Sequence, residues 1–148
     1  LWQEKNNMSY PHIILNKGKE FSMQRRHPWV FSGAIAKKDA NLQDGDLVEV
    51  YSNKNEFLAI GYYAGGSIAV RIISFEKTAI DESFWFDKIS KAWSYRQHLA
   101  ILNEKTNVCR LFFGEGDGVP GLILDYCRLW AQLVSILLLD GCHQVVTE

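Results

Sequence analysis

Residues 112–126 read FFGEGDGVPGLILDY, and the kind of element on the C-terminal side of these glycines decides the fold. Gly116, Gly118 and Gly121 satisfy the G-x-G-x-x-G spacing of loops that hold a dinucleotide or S-adenosylmethionine. A nucleotide loop of that kind needs a strand before it and a helix directly after it, with the pyrophosphate on the helix N-terminus. VCRLFF (108–113) can supply the strand. GLILDYCRLWAQLVSI (121–136) cannot supply the helix: it is rich in β-formers, has no polar helical face, and comes directly after Pro120. Two apolar runs around GEGDGVPG predict a hairpin or wide turn instead, with glycines taking positive φ and Pro120 fixing one bend. Asp117 and Asp125 flank this turn. As a carboxylate pair they would suit acid–base chemistry, but no His or metal-ligand partner sits nearby in sequence, and turn capping is the commoner role of Asp.

Upstream, the chain changes character twice. HIIL (12–15), WVFSGAIA (29–36), DLVEVYS (46–52), FLAIGYY (57–63) and SIAVRIIS (67–74) are β-branched and aromatic, and are separated by the turn compositions NKGKE, NLQDGD and SNKNE. Five short strands without a long helical period predict a small β-barrel. Asp81–Asn103 then places Trp85, Ile89, Ala92, Trp93, Arg96 and Leu99 at three- and four-residue steps, which predicts an amphipathic helix with Asp81 as N-cap and Asn103 as its stop. VCRLFF (108–113), GLILDY (121–126) and LWAQLVSI (129–136) return to strand. The fold class is therefore mixed and mainly β: a small barrel, a connecting helix, and a hairpin or meander.

Composition excludes several classes. With 47% hydrophobic and 22% charged residues the chain reads as globular, and its most apolar run, 129–139, is too short to span a bilayer. Net charge is −1, but residues 1–38 carry seven Lys/Arg against two acids. That basic N-terminal region is a weak form of a nucleic-acid footprint. Cys109, Cys127 and Cys142 form no C-x-x-C and have no His at ligand spacing. They suit neither a disulfide scaffold nor a zinc site; buried small-hydrophobe roles and a reducing cytoplasm are expected. Residues 1–11 read as an extension in which Met8 is a natural start.

KGKEFSMQRRHPWVFSGAI (17–35), GDLVEVYSNKNEFLAIGYYAGGSIAVRIIS (45–74) and RLFFGEGDGVPGLILDY (110–126) together resemble bacterial S-adenosylmethionine-dependent large-subunit rRNA cytosine-C5 methyltransferases. The resemblance runs in order along residues 12–126. It implies an N-terminal PUA domain over 12–75, a connecting helix over 76–107, and the start of a central β-β-α-β-β domain over 108–148. It also implies S-adenosylmethionine as the family's cofactor and ribosomal RNA as partner. The family's cofactor motif and catalytic cysteine belong to a Rossmann-like domain with no counterpart in 1–148, so no catalytic, cofactor or metal residue is expected in this chain. Where the family usually has Gly before the His of HPWVF, Arg26 stands here and adds a charge.

PUA-like domains bind structured RNA, and the candidate contacts are Lys17, Lys19, Arg25, Arg26, His27, Tyr62, Tyr63 and Arg71. The first four offer phosphate contacts. Tyr62 and Tyr63 are strand neighbours, so only one of them can point inward and the other can stack on a base. Trp29 and Phe31 share a face, expected to be the core, and Arg71 is either at the RNA surface or paired with Glu49 or Glu56. Gly116, Asp117, Gly118, Pro120, Gly121 and Asp125 are assigned to a structural turn. An unpaired apolar hairpin invites self-association, so residues 108–139 are expected either to dimerise or to pack on Trp85 and Trp93. A self-standing PUA-type RNA-binding adaptor and a small nucleotide-dependent enzyme are the competing functional readings.

Overall fold

Ile13, Leu15, Val30, Val48, Val50, Ala59, Tyr63, Val70 and Ile72 point into one buried cluster, as the two-residue alternation of strand side chains demands. The computed structural model describes residues 10–127 and the backbone of 133–136. The chain divides into two compact units, 1–79 and 80–148. In the first, six strands form one sheet: β1 (His12–Leu15), β2 (Trp29–Phe31), β3 (Ile35–Lys38), β4 (Leu47–Tyr51), β5 (Phe57–Tyr63) and β6 (Ile68–Ser74). The order is β2-β6-β5-β4-β1-β3, antiparallel except for the β1–β4 pair. The edge strands β2 and β3 are joined by a single 3-10 turn, Ser32–Ala34, so the sheet curls enough for three residues to link its two edges, which do not pair with each other. The unit is mainly β, as expected, and its sheet is a half-barrel with β2 and β3 as its edges.

Two local expectations change. WVFSGAIA is two strands, because the chain crosses at Ser32–Ala34 from one sheet edge to the other: Ser32 N–H bonds Ser67 O (2.9 Å) and Ala34 O accepts from Asn16 N–H (2.8 Å). The turn after β1 also contains a short helix, α1 (Glu20–Gln24), which buries Met23 in the core. A single helical turn with one apolar anchor has no period to read.

Gly61 sits where β5 crosses β6 closely. A methyl group there would lie 2.7 Å from Val70 Cγ1 and against the Arg71 carbonyl. Gly61→Ala is therefore expected to cost at least about 1–3 kcal/mol, the range for overpacking a filled core, measured as a lowered urea midpoint for the first unit.

The second unit begins with α2 (Glu82–His98). Asp81 caps it as expected, accepting from Phe84 N–H (3.0 Å) and from the Ser83 hydroxyl (2.8 Å). These bonds, the backbone one first, hold its carboxyl below the usual carboxylate range. The helix stops at Leu99, not Asn103. Ala100 turns to φ +50°, and Asn103 Oδ1 accepts from Lys105 and Thr106 N–H in a separate turn. Of the expected apolar stripe, Ala92 and Arg96 are buried while Ile89 and Leu99 stay exposed.

β7 (Val108–Phe113), β8 (Leu122–Cys127) and β9 (Leu133–Ile136) form an antiparallel meander. The glycine-rich stretch is a 3-10 turn, Gly114–Asp117, then Gly118 at φ +74° and Gly121 at φ +90°. The next element is a strand and not a helix, as the turn reading requires. Gly116 is an exception: its φ is not positive, and its small size accommodates the Phe113 ring, 3.1 Å from where a Cβ would stand. Trp93 meets Tyr126 edge-on at 5.2 Å, so the β7–β8 hairpin packs on α2. Residues 1–9, 128–132 and 137–148, which include most of the extension, Cys142 and parts of the anticipated 108–139 interface, lie outside the described residues.

Candidate nucleic-acid interface

The β1–β2 connection is the basic segment. Lys17, Lys19, Arg25 and Arg26 are all exposed. Lys19 and Arg25 occupy the two ends of α1 as its N-cap and C-cap, so the four cations spread along the loop. Arg26 adopts φ +57°, the left-handed region that glycine occupies without strain. Arg26 thus places a side chain on a conformation that favours glycine. Its N–H still bonds Met23 O (2.9 Å), and its guanidinium lies 5.5 Å from the Phe75 ring centroid.

Relief of about 1 kcal/mol of left-handed strain is offset by the lost cation–π contact, about 0.5–1 kcal/mol, and by a freer unfolded chain. Arg26→Gly should therefore leave the melting temperature nearly unchanged. If Arg26 contacts phosphate, the same variant reduces the salt slope of RNA binding by about 0.7.

β2 carries the next group. Trp29 N–H donates to His27 Nδ1 (3.2 Å), which fixes an exposed imidazole at the His27–Pro28 corner. The ring centroids of His27, Trp29 and Phe31 lie 5.8, 6.2 and 6.5 Å apart pairwise. Trp29 and Phe31 do share a face, but it is the outer one, contrary to expectation. Val30 points inward at 2% exposure while Phe31 is 49% exposed. The β2–β6 pairing aligns Val30 with the inward Val70, and period two then turns both aromatics outward. Trp29 Nε1 is buried with no acceptor among the described residues.

The same register sets Trp29 opposite Arg71 and Arg71 opposite Tyr62. Cross-strand partners share a face, so Trp29–Arg71–Tyr62 is one outward row. Burial, and then the neighbouring Tyr10, raises the Tyr62 hydroxyl pKa. Tyr63 points inward at 7% exposure; the Lys38 ammonium donates to its hydroxyl and sits 4.6 Å from its ring centroid. It is a core residue, which corrects its assignment as an RNA contact. The alternative ion pairs for Arg71 do not form. Glu49 accepts from the Tyr51 hydroxyl and pairs with Lys77 (3.4 Å) and His12 (3.7 Å), and Glu56 accepts from the Ser52 hydroxyl (3.3 Å). Arg71 makes no ion pair among the described residues.

In the second unit Asp117 and Asp125 are each held by an arginine. Asp117 accepts both Nη atoms of Arg96 (Nη2–Oδ2 2.6 Å) and the Phe113 N–H (2.6 Å). The Asp117 bond raises the Arg96 pKa. Asp125 accepts from Arg110, its cross-strand partner, at 2.9 and 3.2 Å. Lys88 Nζ donates to Gly118 O (3.3 Å). Pro120 is buried within the turn. The turn's amides are used internally: Gly118, Val119 and Leu122 N–H bond Glu115, Gly114 and Val119 carbonyls. These residues do not fit a dinucleotide or S-adenosylmethionine loop, since a strand and not a helix N-terminus follows the turn. Cys109 is buried, which pushes its thiol pKa up and disfavours the thiolate; Cys127 is only half-buried. Among the described residues no group of His, Cys, Asp and Glu could hold a metal, and no helix is long and apolar enough to cross a membrane.

Residues 13–75 match the PUA-like domain family. The match covers the curled sheet and its aromatic row. Over 137 residues, 91% of this chain, the sequence is 35% identical to ribosomal RNA large subunit methyltransferase I of Salmonella arizonae. It is 36% identical over 136 residues to the same enzyme of Salmonella typhi. The chain spans about a third of the length of these relatives, 33% in each case. A methyltransferase candidate from Streptococcus mutans superposes with a TM-score of 0.65 at 22% identity, over 78% of this chain and 30% of that one. At that identity the superposition shows a shared fold. Beyond the PUA-like domain itself, the sequence homology is the link to rRNA methyltransferases.

Proposed function

We propose that this chain is the RNA-recognition part of a cytoplasmic S-adenosylmethionine-dependent methyltransferase acting on cytosine C5 of large-subunit rRNA. The observation that carries the proposal is an exposed basic loop beside an outward aromatic–arginine row, on a PUA-like domain within a chain homologous to rRNA methyltransferases. Lys17, Lys19, Arg25 and Arg26 supply phosphate contacts, which dominate affinity, and the outward row faces bases. Cytosine-C5 chemistry needs an attacking thiolate and a held methyl donor. Cys109 is buried with its thiol pKa raised, and the Gly118, Val119 and Leu122 amides of the turn are bonded internally, so neither feature supports either requirement.

The test is fluorescence anisotropy of purified 1–148 with fragments of large-subunit rRNA across a salt series, alongside a labelled-methyl assay. Salt-dependent binding without methyl transfer is expected; absence of RNA binding, or turnover above background, overturns the reading. The compact first unit, 1–79, favours a second reading as a self-standing PUA-type adaptor. A D-x-F/Y-x-G-x-G cofactor motif in the reading frame beyond Glu148 decides for the methyltransferase.

A further inference from the structure

The outward row combines two chemistries that a double-stranded RNA cannot use together. Trp29, Arg71 and Tyr62 lie side by side on β2, β6 and β5. Phe31 and His27 continue the row along β2 and the residues preceding it, with ring centroids 6.2 Å apart. Phe31 and His27 are exposed, and Trp29, Arg71 and Tyr62 are half-buried. None of the exposed or half-buried residues of β2, β5 and β6 is acidic. Arg71 has no ion pair among the described residues, and Arg26, at the opposite end of the β2–β6 pairing from Phe31, adds a second cation. An A-form helix keeps its bases stacked and presents ribose and phosphate, so it leaves aromatic faces unused. Unstacked bases can lie on aromatic rings, with a guanidinium stacking on or bonding the same nucleotide.

Resting on the RNA-binding reading, we infer that His27, Trp29, Phe31, Arg71 and Tyr62 form a stacking platform for unpaired bases. The RNA element recognised by this face is thus a loop or single-stranded segment, not a continuous duplex. The basic loop 17–26 then tracks the phosphates of the same strand, and the platform selects flexible RNA over duplex.

The chain 1–148 is titrated against three labelled RNAs: an unstructured single strand, a blunt duplex of equal length, and the single strand carrying 2-aminopurine. Wild type is expected to prefer the single strand and to change the 2-aminopurine emission as the base stacks. Phe31→Ala/Arg71→Gln, which alters one exposed ring and one unpaired cation, should weaken single-strand binding about tenfold to 100-fold, the range of one lost stack. It should also remove the emission change and leave duplex binding as it was. A circular dichroism melt matching wild type confirms that the variant folds; Tyr62→Phe, which keeps the ring, should retain binding. Equal affinity for duplex and single strand, or a double variant that binds the single strand like wild type, overturns the platform while leaving RNA binding intact. If wild type binds none of the three RNAs, the underlying RNA reading fails with it.

Discussion

Replacing Lys17, Lys19, Arg25 and Arg26 together by Glu is expected to abolish RNA binding and leave the first unit folded. All four side chains are exposed, and among the described residues none makes a side-chain hydrogen bond or ion pair. Arg26 alone of the four lies over an aromatic ring, that of Phe75. Each phosphate neutralised on a single strand contributes about −0.7 to the log–log salt slope, so four contacts give about −3. Reversing their sign converts that attraction into repulsion at the same sites. Anisotropy titrations at several salt concentrations read both effects, and far-UV circular dichroism checks the fold. Affinity within a few-fold of wild type, with an unchanged slope, would move the RNA contact away from this loop.

The second large effect is on stability. Asp117→Ala should cost the second unit about 3–5 kcal/mol, the range for leaving one member of a buried ion pair without its partner. The Arg96 and Asp117 side chains are only 9% and 13% exposed, and the same carboxylate also takes the Phe113 N–H. Such a loss is comparable with the whole stability of a small unit. Amide NMR spectra should show residues 80–127 losing native dispersion while the strands of 12–74 keep theirs. The double variant Arg96→Met/Asp117→Asn leaves no buried charge and keeps an acceptor for Phe113. It should recover much of the loss. A single-variant cost below about 1 kcal/mol in urea unfolding would mean that Trp93–Tyr126 packing, and not the ion pair, holds the hairpin to α2.

Local pattern was readable wherever the competing elements differ in chemistry over several residues. β1, β5 and β7 begin and end where HIIL, FLAIGYY and VCRLFF do. The glycine turn was legible because a β-rich run after Gly121 cannot form the helix that a nucleotide site needs. The Asp81 cap was legible because a carboxylate before a helical period satisfies first-turn amides wherever the helix packs. α1 and the stop at Leu99 were not, because one helical turn and a frayed helix end carry too little periodic signal.

The candidate site divides along the same line. Alternation along a strand assigns residues to two faces, but says nothing of which face is inside. The sequence alone therefore determined that Trp29 and Phe31 sit together and that Tyr62 and Tyr63 sit apart. The tertiary pairing decided that the aromatics look outward, because Val30 must meet Val70 in the core. It equally decided that Arg71 lies between Trp29 and Tyr62, which come from segments more than thirty residues apart. Arg96 shows the same limit. On a helical stripe its charge argues for the surface, and only Asp117, brought from 21 residues away, offsets the cost of burying it. Local chemistry is written in neighbouring residues, whereas the sign of a face and the partner of a buried charge exist only once distant segments have met.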